Sequence, residues 1–287
     1  MTATSESAAG AALARLVRRH DHDRFLTALF APAPAREALL ALYAFNYEVA
    51  KTREVVTEPL LGRIRLQWWR ESLEAAYGGS PLRRHEVAEP LGQAIRARGL
   101  SRDHFEALLA ARASDLDAEA PATLAALEAY AEASSGRLVL LALEALGERS
   151  EASAAAGRAV GTAYALAGLL RAVPFHARAR RLYLPRDLAE VEGLDVDRGL
   201  FELRSSPALA RIVGQVAARA HAQLAAARAL APQVPRTALP ALLPAVLAAA
   251  DLARLKRAGY DPFALRIARP DPWRSWRLTL ASFRGRY

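Results

Sequence analysis

Long alanine- and leucine-rich runs bounded by proline or glycine constrain this chain more than any other feature. The runs cover about residues 7–30, 36–56, 60–77, 123–146, 152–172, 207–231 and 238–257. Each is too long for a typical strand and is built from strong helix formers. "APAPA" closes the first run, Pro59 follows the second, Gly78-Gly79 and Pro81 follow the third, and Pro174 closes the run at 152–172. Two shorter helices lie between the third and fourth runs, the second starting at Ser101, a good N-cap. Hydrophobic residues make up 53% of the chain but aromatics only 7%, so the β-branched and aromatic content of a sheet protein is missing. The stretch 175–202 is the least helical. Asp261-Pro262 and Asp271-Pro272 each read as a cap followed by proline at the first helical position. No Gly/Ser linker, composition break or repeat divides the sequence. The expectation is one all-α domain over residues 1–287, with residues 1–10 disordered.

The chain has no cysteine, which excludes disulfides, thiolate nucleophiles and cysteine-based zinc sites. Its formal net charge is +9, and every basic residue but Lys51 and Lys256 is arginine, a coding bias that weakens functional readings of single arginines. The positive balance favours a membrane surface or a phosphorylated ligand. Nucleic acid is disfavoured, since the charge is spread along the chain and no binding motif is present. "MTATSESAAG" lacks the basic start and apolar core of a signal peptide. The longest uncharged runs are shorter than the ~20 residues of a membrane span. A cytoplasmic protein, soluble or peripheral at the inner face of the membrane, is expected.

One segment carries polar residues on a face that should be buried. In "YAFNYEVAKTREVV", Leu39, Leu42, Tyr43 and Val49 make an apolar helical stripe, and Asn46, Ala50, Arg53 and Glu54 continue it. Buried polar groups need partners or a purpose. One carboxylate, one arginine and an alanine are a poor set for metal or acid–base chemistry. "HDHD" at 20–23 suggests a metal site, but on a helix its histidines point about 200° apart; a solvated face is the expected reading. His85, His104 and His221 are isolated, and no Ser/His/Asp, H-E-x-x-H or glycine-rich phosphate loop occurs. Gly157, Gly161, Ala165, Gly168 and Ala172 line one helix face, serving either close packing or a cavity wall.

"YAFNYEVAKTREVV", "RLQWWRESL", "YAEASSGRLVLL" and "LLRAVPFHARARRLYLP", in this order, resemble the squalene/phytoene synthase family over about residues 16–276. The resemblance implies a helical bundle around a central cavity, with the helices holding Ala50 and Ala172 facing each other. Enzymes of that family join two prenyl diphosphates head to head, using Mg²⁺ held by two aspartate-rich motifs. Carboxylates four residues apart share a helix face, and the metal neutralises the leaving diphosphate. Aligned without gaps, the first motif's aspartates fall on Ala50 and Glu54, and the second motif's acidic positions fall on Ala172, Phe175 and His176. The glycine falls on Arg180, while Arg181 and Tyr183-Leu184-Pro185 are kept. Lys51, Arg53, Arg171, Arg178, Arg180 and Arg181 make the surroundings positive, which disfavours Mg²⁺, and Pro174 interrupts the second helix.

Asn46, Glu48, Gly62, Arg65, Gln67, Trp68 and Trp69 look most like one branch of that family, the synthase-like assembly factors of respiratory complex I. The resemblance thus implies a non-catalytic protein without metal or cofactor, whose partners are complex I subunits or assembly intermediates. Its cavity positions would be Asn46, Ala50, Arg53, Glu54, Gly168, Arg171, Ala172, His176, Arg181 and Tyr183. A prenyltransferase using Mg²⁺ is the alternative, and a site for a prenyl diphosphate or an anionic lipid is a third reading.

Overall fold

The computed structural model describes residues 2–117, 119–269 and 271–287, and among them there is no β-strand. The N-terminal half contains α1 (Thr2–His20), α2 (His22–Ala28), α3 (Ala33–Ala50), the single turn α4 (Thr52–Val55), α5 (Pro59–Tyr77), α6 (Ala88–Arg98) and α7 (Arg102–Ser114). Next come α8 (Leu124–Ala131), a π-helical turn (Glu132–Gly136), α9 (Arg137–Ala145), α10 (Glu151–Arg178) and α11 (Arg186–Val191). A second π turn (Val196–Leu200), α12 (Pro207–Ala229), α13 (Leu239–Leu242), α14 (Pro244–Arg257), α15 (Leu265–Ala268) and α16 (Arg274–Arg284) complete it.

Several boundaries differ from expectation for local reasons. The first run breaks at Asp21, whose side chain accepts the Arg24 amide at 3.2 Å and caps α2. Helix α1 is assigned from Thr2; Met1 lies outside the described residues. The second run breaks at Lys51, where the Thr52 hydroxyl donates to the Glu48 carbonyl at 3.3 Å and competes with the helical bond. Pro174 does not end α10, which continues to Arg178. A proline inside a helix costs about 3 kcal/mol, and the packing of α10 against α12 and α14 outweighs it. Stretch 175–202 holds the end of α10, α11 and the second π turn, so it is more helical than its composition suggests. Asp261 and Asp271 accept the amides of Phe263 and Trp273 at 2.9 and 3.0 Å, but the helices begin later, at Leu265 and Arg274.

The run at 123–146 is interrupted by the π turn, and this sets how closely α10 can approach. A Cβ built on Gly161 would stand 2.5 Å from the Ser135 carbonyl oxygen and 2.6 Å from the Gly136 Cα. Gly157 likewise faces Leu143 and Val139 of α9. Farther along the small-residue stripe the situation reverses: a Cβ on Gly168 would meet nothing within 4 Å. The stripe serves close packing at Gly157 and Gly161, whereas Gly168 packs against nothing at its Cβ position.

The residues of the assembly-factor-like motif mainly brace α3, α5 and α7. Trp69 is buried and stacks edge-on with Phe45 at 5.1 Å, and Phe45 meets Phe105 of α7 at 5.4 Å. The buried Glu48 carboxylate receives both Lys51 and Arg65, joining α3 to α5. Gly62 lets the Leu116 side chain approach α5. Gln67 is exposed.

No single helix is long and apolar enough to cross a membrane. The bent pair Arg236–Leu242 and Pro244–Arg257 passes by composition, but Leu242, Leu247, Leu252 and Leu255 are buried within the fold.

Gly161→Ala is expected to lower unfolding stability by about 1–3 kcal/mol, because backbone rather than a movable side chain blocks the new methyl. Gly168→Ala is expected to raise it by about 0.4–1 kcal/mol, through lost unfolded-state freedom in an unobstructed helix. Urea unfolding of both variants checks the pair, and equal shifts would contradict this assignment of the stripe.

Candidate functional site

Arginine, tyrosine and aspartate side chains, not a carboxylate cluster, fill the middle of the bundle. Asp23, in the "HDHD" stretch expected to be a solvated face, is 4% exposed. Its Oδ1 takes Arg274 of α16, and its Oδ2 accepts the Tyr164 hydroxyl at 3.1 Å and lies 3.6 Å from Arg171 of α10. Asp251 of α14 receives the same two arginines, Arg171 at 2.7 Å and Arg274 at 3.5 Å. Two carboxylates and two guanidiniums thus tie α2, α10, α14 and α16 together. Desolvation costs for buried charges are met only by such mutual pairing.

Arg24 stands beside this network. It pairs with Asp21 at 2.7 Å, donates to the Ser135 hydroxyl at 3.1 Å, and lies 4.9 Å from the Tyr164 ring and 6.0 Å from the Tyr43 ring. The π turn therefore presents Ser135 to Arg24. Burial opposes charge on Arg24, yet Asp21 and Tyr164 raise its pKa above the ordinary arginine value. Burial also pushes Tyr43 up to about 12, and burial with Asp23 raises Tyr164 further. Both phenols stay neutral, and Tyr164 donates to Asp23. Arg24 spans the gap from α3 to α10, so at this level the interior is filled by side chains.

A second polar cluster lies where α7, α8 and the C-terminal end of α10 meet. Asp115 accepts Arg112 at 3.2 Å, the Tyr130 hydroxyl at 3.0 Å and the Tyr183 hydroxyl at 3.3 Å, while Arg181 donates to its backbone carbonyl at 2.8 Å. Asp115, Tyr130, Arg181 and Tyr183 wall a pocket of about 180 Å³ that Asp117 and Glu119 also line. His176 stacks on Tyr183 at 4.3 Å, and burial together with Arg181 lowers its pKa to about 4.

The expected site residues thus separate. Arg171 belongs to the first cluster, and His176, Arg181 and Tyr183 to the second. Ala50 and Ala172 are half-buried, and Asn46 is buried on α3. Arg53 is half-buried, and its Nε is buried without a partner. Glu54 is exposed, not core-facing, because the break at Lys51 puts α4 out of phase with α3. Arg171 pairs with Asp23 and Asp251, and Glu48 serves Lys51 and Arg65. Sequence reasoning missed Asp23, Arg24, Tyr164, Asp251 and Arg274. The one available signal was Tyr164, Gly168 and Arg171 on a single α10 face.

These residues do not fit Mg²⁺. The acids Asp23, Asp251 and Glu48 are each neutralised by cations of the chain itself. Ala50 and Ala172 offer no oxygen ligand, and Glu54 faces solvent. Among the described residues, no three His, Asp or Glu side chains converge as metal ligands.

A family profile described as squalene/phytoene synthase matches residues 17–283. The chain belongs to the squalene/phytoene synthase family. It is 31% identical over 273 residues to the NADH dehydrogenase (ubiquinone) complex I, assembly factor 6 of Bos taurus, covering 95% of this chain and 81% of that one. A presqualene diphosphate synthase of Rhodopseudomonas palustris is 29% identical over 165 residues, covering 57% of this chain and 58% of that one. The fold resembles the crystal structure of squalene synthase HpnC from Alicyclobacillus acidocaldarius with TM-score 0.78 and 24% identity, covering 90% of this chain and 97% of that chain. The all-α, isoprenoid synthase-like architecture read from the sequence is thereby shown.

Asp23→Ala is expected to destabilise the protein by about 3 kcal/mol, since removing one partner leaves buried cations underpaired. Asp23→Ala combined with Arg274→Ala should cost less than the sum of the single changes by about 0.5–3 kcal/mol. Strict additivity in urea unfolding would show that the pair is not coupled.

His176 makes a pH-dependent contribution of known sign. Its folded pKa lies below that of free histidine, so the unfolded chain binds the proton first. Stability is full above about pH 6.5 and falls as pH drops towards about 4. In His176→Gln the melting temperature should fall less between those limits than in the wild type. Parallel curves would refute the assignment.

Proposed function

We propose that this protein is a non-catalytic member of its family that assists the assembly of respiratory complex I, acting from the cytoplasm at the inner face of the membrane. One observation carries the non-catalytic part: Asp23, Asp251 and Glu48 are each committed to arginine or lysine side chains of the same chain. Ionising an allylic diphosphate requires its leaving charge to be neutralised by bound metal, and loss of that electrostatic help costs orders of magnitude in rate. The assembly role rests on the relative that matches 95% of this chain, a complex I assembly factor. Subunits or assembly intermediates of complex I are the proposed partners.

A second reading keeps a ligand without chemistry. Arg53 has a buried Nε without a partner. Arginine can hold phosphate oxygens bidentately, so a prenyl diphosphate or the headgroup of an anionic lipid would be bound without metal. Calorimetry with farnesyl diphosphate in EDTA tests it. Binding that weakens in Arg53→Ala supports the reading, and no heat at high micromolar ligand removes it.

Deleting the gene should lower assembled complex I on native gels and NADH:ubiquinone activity, with isoprenoid pools unchanged. Normal complex I in the deletion strain overturns the assembly reading. The purified chain should release no diphosphate from farnesyl diphosphate with Mg²⁺. Magnesium-dependent release that is abolished by Glu54→Gln would establish the prenyltransferase alternative instead.

A further inference from the structure

Helix α16 has two faces of opposite purpose. Its inner face is fully used: Leu278 is buried with Leu239, Leu243 and Leu247, and Arg274 reaches Asp23 and Asp251. Just beyond the helix, the Tyr287 hydroxyl donates to the Ala227 carbonyl at 3.1 Å. Among the described residues, the outer face is largely exposed. Trp273, Trp276 and Phe283 are 62%, 64% and 83% exposed, and Leu280 lies with them. Positions 273, 276, 280 and 283 fall within an arc of about 80° at 100° per residue, making one ridge.

Charge borders this ridge: Arg277 and Arg284 lie on one flank, and the exposed Arg286 follows the helix end. Arg277 pairs with Asp271 at 3.3 Å, whereas Arg284 and Arg286 make no ion pair among the described residues. Two of the chain's four tryptophans stand in water here, while Trp69 is in the core and Trp68 packs against it.

We infer that α16 is a membrane-interface helix that seats Trp273, Trp276, Leu280 and Phe283 among the headgroups of a bilayer containing anionic lipid. Indole combines a broad apolar body with an N–H donor, the chemistry that places tryptophan at the boundary between headgroups and acyl chains. Arginines beside such a ridge sit at headgroup level and attract negative lipid, in keeping with a chain of net charge +9. A helix of eleven residues is too short to span, so it lies in the plane of the surface. A protein groove would accept the apolar ridge but would leave the flanking arginines without a stated counterpart. The inference is independent of the complex I reading, and its test contains no respiratory component.

The test is flotation of the full chain with phosphatidylcholine vesicles and with vesicles that also contain phosphatidylglycerol, read alongside tryptophan emission. Binding should favour the phosphatidylglycerol vesicles, weaken with salt and shift the emission to the blue. Trp276→Ser with Phe283→Ser should lower partitioning about tenfold or more. Arg284→Glu with Arg286→Glu should abolish the preference for phosphatidylglycerol. All four side chains are exposed, so unfolding midpoints should match the wild type, which separates lost docking from lost folding. Three results would overturn the inference: no flotation with either vesicle, flotation unchanged in both variants, or a wild-type dimer in sedimentation that Trp276→Ser with Phe283→Ser dissolves.

Discussion

Two aspartates and two arginines, drawn from four helices, set the terms for the interior. Asp23 and Asp251 each face both Arg171 and Arg274, so no member can be withdrawn without leaving its opposites short of a counter-ion. Apolar packing alone is permissive about how helices slide and rotate. Four charges that must meet are not. Tyr164 and Arg24 extend the arrangement to α3 and the π turn through the Asp23 carboxylate, the Tyr43 ring and the Ser135 hydroxyl. The polar interior specifies the geometry that the leucines and alanines stabilise.

The π turn shows how one local irregularity serves that geometry. An unbroken helix across 132–136 would turn Ser135 to a different angle and change the surface that faces Gly161. With the extra residue in the turn, the Ser135 carbonyl meets Gly161 while its hydroxyl accepts Arg24. Such bulges interrupt regular hydrogen bonding and persist where the surroundings reward the altered direction of a side chain. Here the reward is one contact that sets the α10 approach and another that seats a buried guanidinium.

Helix type was legible in the sequence because the Ala/Leu runs exceed strand length and end at proline or glycine. Breaks made by helix-compatible residues were not legible. Asp21 stops α1 by capping α2, and Thr52 stops α3 with a hydroxyl, though neither residue forbids a helix. Pro174 erred the other way, since its local penalty is smaller than the packing of α10. The family could be read from segments whose order and spacing survive, and Glu48, Gly62, Arg65 and Trp69 do brace the N-terminal helices. The central network was hidden because its members are scattered: Asp23 and Arg274 are 251 positions apart. Nothing in the periodicity of either segment announces the other.

Arg274 gives this arrangement a further consequence. It belongs to the helix whose outer ridge meets solvent and also supplies a counter-ion to a carboxylate shared with α10. Whatever lifts or tilts α16 alters the charge balance beside Tyr164 and Arg171, and whatever changes that balance alters how firmly α16 is seated. Thermodynamic reciprocity makes the two effects equal in size. The outermost helix and the centre of the bundle are therefore two ends of one lever, with Asp23 as its fulcrum.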